Sequence, residues 1–221
     1  MRIFVKLTRN TEIIPFNYQH LITGAIHKWI GKENQEHGAI SLYSFSWLQN
    51  VQTNNKGISL TRDSYFFISA FDEPFIKTII NGILNEPEVC CGSKVFDVQV
   101  MQTPQFEIQK HFLCASPVFI KRRTEDKEKE NHITFNDELS GQYLTETLKN
   151  KLSTAGLSTE GVSVEFDKAY SNPQTKVIHY KNIKNRANIC PVIIKGTPEQ
   201  VAFAWNVGVG NSTGIGFGAL K

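Results

Sequence analysis

Two histidines share one face of the first amphipathic segment of this chain. On a wheel of about 100° per residue, Gly24, His27 and Gly31 fall within about 40° of His20. Tyr18, Ile22, Ala25 and Trp29 take the opposite side. Imidazole titrates near neutral pH, so such a face can take up or return a proton. Glycine inside a helix costs roughly 1 kcal/mol against alanine, which suggests that another group comes close. Zinc fits poorly, because the histidines are seven positions apart and no cysteine or carboxylate completes a ligand set. From pattern alone the plainer account, exposed polar residues on a solvated face, is the stronger one.

The second chemical feature is the closing segment Gly208-Val-Gly-Asn-Ser-Thr-Gly-Ile-Gly-Phe-Gly218, which holds five of the fifteen glycines. Glycine serves where backbone turns through positive φ or approaches a ligand closely, and successive N–H groups in such a loop form an anion-binding concavity. Only Ala219, Leu220 and Lys221 follow, too few for the helix that a dinucleotide fingerprint opens. Gly-Lys-Ser/Thr is missing as well, which excludes a P-loop. Contact with a phosphate backbone through Gly208, Gly210, Asn211, Ser212, Gly214, Gly216 and Gly218 is one expectation. An ordinary glycine-rich turn before a final strand is the other.

These residues need elements to position them, and the periodicity supplies the same cycle twice. Arg2 to Thr8 alternates as a half-buried strand does. Asn17 is a plausible N-cap for a helix from Tyr18 to Ile30. Leu42 to Gln49 and Tyr65 to Phe71 read as strands, Glu73 to Leu84 as a helix, and Lys94 to Met101 as a strand. That is β-α-β-β-α-β, the ferredoxin-like unit. In the second half, Phe112 to Lys121 is a strand, Asp137 to Ala155 a helix, and Val162 to Phe166, Lys176 to Lys184 and Asn188 to Ile194 are strands. A helix from Thr197 to Trp205 opens on Thr197-Pro-Glu-Gln, a capping signature, and a last strand begins inside the glycine segment. The expected fold class is α+β, with two tandem ferredoxin-like domains spanning 1–105 and 106–221.

Composition is compatible. With 221 residues, 40% hydrophobic and 20% charged, the chain can bury two cores. No apolar run reaches the length of a membrane span, so no membrane partner is expected and the cytoplasm is the default. Cys90, Cys91, Cys114 and Cys190 lack metal-ligand spacing and read as reduced thiols. The net charge is only +3, so any basic surface is local. The mixed-sign run Lys121 to Glu130 reads as a solvated loop, with Lys121, Arg122 and Arg123 at its root within reach of phosphates. His179, Lys181, Lys184 and Arg186 surround Tyr180, an arrangement that suits RNA and equally suits an exposed basic hairpin.

Gly-x-Gly, five residues, then Gly-Phe-Gly resembles the closing loop of CRISPR-associated endoribonucleases that cut precursor CRISPR RNA, within the repeat-associated RNA-binding superfamily. Met1-Arg-Ile-Phe-Val-Lys-Leu7 resembles that family's first strand, Thr23-Gly-Ala-Ile-His-Lys-Trp29 lies in its first helix, and Asn81-Gly-Ile-Leu-Asn-Glu-Pro87 resembles the end of its second. The resemblance implies His27 as a catalytic residue, after the triplet Gly24-Ala25-Ile26. It implies His37 as a second, in the loop before Tyr43-Ser44-Phe45-Ser46, with His20 a third candidate. A lysine usually near the start of that strand is missing from Ala39 to Ser41, leaving Lys28 or Lys32 as weaker substitutes. The implied partner is CRISPR repeat RNA, held in an RNA-binding cleft between or across the two domains, with a CRISPR effector complex and a homodimer left open, and neither metal nor cofactor is required. A non-catalytic guide-RNA-binding subunit, or an unrelated tandem α+β binding protein, shares much of this pattern.

Overall fold

Alternation in β1 (Arg2–Leu7) sends Ile3, Val5 and Leu7 to one side and Arg2, Phe4 and Lys6 to the other. The first set is buried completely or nearly so, beneath two helices. A computed structural model of the chain describes residues 1–31, 40–123 and 130–221. After β1 come α1 (Gln19–Ile30), β2 (Tyr43–Phe45), β3 (Gln49–Asn54), β4 (Gly57–Ala70), α2 (Glu73–Asn85), β5 (Glu88–Cys90) and β6 (Ser93–Met101). They form an antiparallel sheet of order β2-β4-β1-β6-β5, with β3 paired to β4. Ile22, Ile26 and Trp29 of α1 and Ile76, Ile79 and Ile83 of α2 cover Ile3, Val5, Phe66 and Ile68. This is a ferredoxin-like unit with β1 and β4 at its centre.

The second half runs β7 (Gln109–Phe112), β8 (Lys121–Arg123), β9 (Glu130–His132), α3 (Ser140–Thr154), β10 (Ser163–Phe166), β11 (Gln174–Tyr180), β12 (Ile183–Ile189), β13 (Val192–Lys195) and α4 (Pro198–Val207). Strands β10, β13 and β7 form one sheet, and β11–β12 and β8–β9 are separate hairpins. Leu144, Leu148 and Leu152 of α3 and Val201 and Ala204 of α4 close a second core over Val164, Val192 and Ile194. The protein is thus α+β, built from two ferredoxin-like units.

Several local readings change. Helix α1 is preceded by Tyr18 in helical conformation with no side-chain cap; Asn17 instead offers its carbonyl to the ring Nδ1 of His20 at 2.8 Å. The strand expected over Phe112 to Lys121 does not form: only its end residues lie in strands, Phe112 at the close of β7 and Lys121 at the start of β8, with bends at Ala115 and Ser116 between them. No strand forms inside the glycine segment. Only Leu220 bridges to Cys114, flanked by Ala115 N–H donating to Ala219 O at 2.8 Å and Lys221 N–H to Leu113 O at 2.9 Å. At α4 the capping box is complete, with Thr197 and Gln200 exchanging hydrogen bonds. All four cysteines are free thiols. Among the described residues, no helix is long and apolar enough to cross a membrane.

Candidate functional site

Helix α1 buries Ile22, Ala25, Ile26 and Trp29 and leaves His20 and His27 half-buried, with Gly24 exposed between them. A Cβ added at Gly24 would meet nothing within 4 Å among the described residues. Seven residues of helix separate the imidazoles by about 10 Å along the axis, too far for both to touch one phosphate oxygen. His20 is further tied to the Asn17 carbonyl. His37 and Lys32 lie outside the described residues. Lys28 points to the corner after α2, donating to Glu88 O at 2.8 Å and pairing with Glu86 at 3.2 Å.

The glycine segment packs between the two halves. Gly208, Gly210, Gly214, Gly216 and Gly218 are buried. A Cβ at Gly218, where φ is +65°, would overlap the Val209 carbonyl, and one at Gly216 would stand 2.9 Å from the Phe45 ring. Tyr43 donates its hydroxyl to Gly214 O at 3.0 Å, and Gln19 its amide to Gly216 O at 2.9 Å. The loop therefore rests on α1 and β2, the elements on either side of the segment that carries His37. Its glycines answer a packing demand, while Asn211, Ser212 and Ile215 retain partial exposure. Asn211 is itself engaged: its N–H donates to Phe119 O, and its Oδ1 accepts from Lys121 N–H.

A lysine missed by sequence reasoning holds this loop from behind. Lys151 of α3 is 3% exposed, and its ammonium donates to Val207 O, Gly208 O and Thr213 Oγ1 at 3.0–3.2 Å. Burial pulls its pKa down to about 7. The signal was present, since Lys151 continues the inward stripe of Leu144 and Leu148 at helical spacing. Arg122 lies nearby, but its guanidinium bonds Tyr143 O and Glu146 at 3.0 Å and stacks 4.4 Å from the Tyr143 ring centre. Lys181, Lys184 and Arg186 are exposed on the β11–β12 hairpin, with Lys181 in its turn at φ 52°.

Comparison with known proteins covers the whole chain. Residues 101–221 match the family described as CRISPR associated protein Cas6, C-terminal, and residues 13–102 match CRISPR-associated protein Cas6, N-terminal. The chain belongs to the Cas6 family. It is 26% identical over 238 residues to a Methanocaldococcus jannaschii protein named CRISPR-associated endoribonuclease Cas6 1, covering 100% of this chain and 92% of that one. Its fold matches a Cas6-related protein of Pyrococcus furiosus with a TM-score of 0.85 at 22% identity, covering 100% and 97% of the two chains. It matches equally well, at TM-score 0.85 and 22% identity over 100% and 98%, a structure titled an RAMP protein binding different RNA substrates.

In this Cas6 chain the sheet face turned from α1 and α2 carries a row of aromatic rings. Phe4, Tyr65 and Phe67 lie side by side on it, with ring centres 5.8 and 6.0 Å apart about Phe4. A cleft of about 270 Å³ runs from these rings to Lys110 and Trp205 of the second half. Arg2 closes its base, its guanidinium 3.8 Å from the Phe67 ring centre and 3.6 Å from that of Trp205. Burial lowers the Arg2 pKa to about 9, so it remains charged at neutral pH.

Proposed function

We propose that this Cas6-family chain is a metal-independent endoribonuclease that cuts CRISPR repeat RNA and so generates mature guide RNAs. The observation supporting this reading is the seating of the glycine segment on α1 and β2, through Gln19 to Gly216 O and Tyr43 to Gly214 O. That seating brings the loop against α1, the helix that carries His27, and against β2, the strand that follows the segment with His37 in sequence. RNA carries its own nucleophile. His37 acts as the base that removes the proton of the 2′-hydroxyl, and the oxygen attacks the adjacent phosphorus. The bond to the 5′-oxygen breaks, and His27 returns a proton to it. The two roles are exchangeable between these imidazoles, with His20 as the third candidate. The products are a 2′,3′-cyclic phosphate, or a 3′-phosphate after hydrolysis, and a 5′-hydroxyl. Each positioned acid or base contributes roughly 10²–10⁴-fold.

Binding draws on the aromatic sheet face, where unpaired bases stack, and on Lys181, Lys184 and Arg186 of the hairpin, whose charges attract phosphates. The test is cleavage of the host's CRISPR repeat RNA in EDTA, beside the same RNA with one 2′-deoxy substitution at the cut site. Cutting of the first alone, and its loss in His27→Ala and His37→Ala with binding retained, is the expected result. Binding without cutting by the unmodified protein would favour a guide-RNA-holding subunit instead.

A further inference from the structure

A crevice of about 510 Å³ has, among its described lining residues, none of the histidines given catalytic roles above. It opens beside the N-terminal end of α1, where the turn before the helix faces β11 from Lys176 to His179. Its volume falls in the range of clefts that take a small ligand. The exposed Phe16 ring and the Trp47 indole offer apolar faces, and Lys56, Lys176 and His179 stand at its walls with no carboxylate among the lining residues. An aromatic floor flanked by cations suits an unpaired nucleobase and the phosphates on either side of it.

Gln19 adds an independent observation. It lines the same crevice and is 3% exposed. Its amide nitrogen donates to Gly216 O at 2.9 Å, and the Trp47 indole N–H donates to the same carbonyl at 3.2 Å. The Gly216 oxygen fixes which way the amide lies, since turning it over would set two oxygens face to face. Gln19 Oε1 is then left as a buried side-chain acceptor with no partner, the one such atom among the described residues. An unmet buried acceptor costs about 1–3 kcal/mol. A hydrogen-bond donor from a ligand would remove that cost.

We propose that this crevice is a base-recognition subsite for the RNA: one unpaired nucleotide stacks on Trp47 and Phe16, its flanking phosphates meet Lys56 and Lys176, and its exocyclic amino group donates to Gln19 Oε1. Adenine, cytosine and guanine carry that amino group and uracil does not. Oε1 is shut off from solvent in the free protein, so the amino group reaches it through a local shift of the side chains that cover it. Because Gln19 and Trp47 both hold Gly216, the occupied subsite is joined directly to the glycine segment. The inference rests on the RNA reading given under Proposed function.

The experiment uses the full chain and the host's repeat RNA, with each amino-bearing base replaced singly by its deaminated or hydrogen-substituted analogue. Affinity is measured by anisotropy for the unmodified protein, Gln19→Met, and the surface variant Lys56→Ala/Lys176→Ala. At one position the analogue should weaken binding to the unmodified protein roughly 5- to 100-fold, the range of a lost buried hydrogen bond. In Gln19→Met that position-specific loss should vanish. A merely structural glutamine would instead lower affinity for every RNA alike, and this outcome would overturn the subsite. The double lysine variant should weaken binding to all the RNAs and flatten its salt dependence by about 0.7 per lost phosphate contact; an unchanged salt slope would also count against the subsite. RNA bound and cut with no Gln19-dependent position would sink this inference alone. Failure of the unmodified protein to bind any repeat RNA would sink the RNA reading with it.

Discussion

Gly24 separates the two accounts of the α1 face at the scale of one residue. It is exposed, helical and free of neighbours where a Cβ would stand. Nothing among the described residues therefore requires glycine there. Gly24→Ala should raise stability by roughly 0.5–1 kcal/mol through helix propensity and a less flexible unfolded chain. In a protein of this size that is a melting-temperature gain of about 1–4 °C. If RNA backbone passes over this face, the added methyl group should at the same time lower repeat-RNA affinity and cleavage severalfold. A warmer melt with unaltered binding and cutting would show that nothing approaches Gly24. The face itself was legible from the spacing of His20, Gly24, His27 and Gly31, because helical periodicity is local. The hydrogen bond of His20 to Asn17, and the diversion of Lys28 to Glu86 and Glu88, were not legible. They depend on how the chain enters α1 and on a helix end some sixty residues away.

The element that carries most new information is α3. Lys151 puts a charge where its stripe predicts a leucine, and its three acceptors all belong to α4's end or the glycine segment. The helix thereby holds Gly208 and Thr213 in place. Burial lowers the folded-state pKa to about 7, against an ordinary lysine value of 10.5 in the unfolded chain. The unfolded chain thus binds the proton more tightly, and stability must rise as pH increases from about 7 towards 10.5. The limiting slope from this one group is about 1.4 kcal/mol per pH unit. Denaturant titrations of the unmodified protein and Lys151→Met between pH 6.5 and 9 should show their difference in stability moving in favour of the lysine protein as pH rises. A difference flat with pH would mean that the ammonium stays protonated throughout, held by its three acceptors. Elements like α4, with Thr197 and Gln200 three positions apart, were readable because a cap is written in adjacent residues. The glycine segment was misread as opening a strand because its backbone folds back on itself, Gly218 against Val209, and packs against Ser44, Phe45 and Phe119, all distant in sequence.

At the scale of the whole molecule, the two ferredoxin-like units are joined by contacts that no local pattern announces. Arg2 belongs to the outward set of β1, where alternation alone predicts a solvated side chain. Instead it lies between the Phe67 and Trp205 rings, donates to Ser69 Oγ at 2.6 Å, and reaches Leu220 O at 2.7 Å and Trp205 O at 3.3 Å. Ser44 and Asn206, Trp47 and Ala115, and Tyr43 and Gly214 make further hydrogen bonds between the halves. So extensive an interface should make the halves unfold as one unit, in a single calorimetric transition. Replacing Arg2 by leucine keeps apolar bulk between the rings but strips donors from two buried carbonyls, and removes both cation–π contacts. A loss of roughly 2–4 kcal/mol follows, or about 4–16 °C in melting temperature. Because the contacts to Trp205 and Leu220 lie between the units, the transition should also broaden or split, while a substitution confined to one core, such as Ile79→Val, should lower the temperature without dividing the peak. Since Arg2 also floors the aromatic cleft, its loss should weaken RNA binding below the melting range. A single sharp transition and unchanged RNA affinity in Arg2→Leu would mean that the remaining contacts couple the halves unaided and that RNA does not use the cleft.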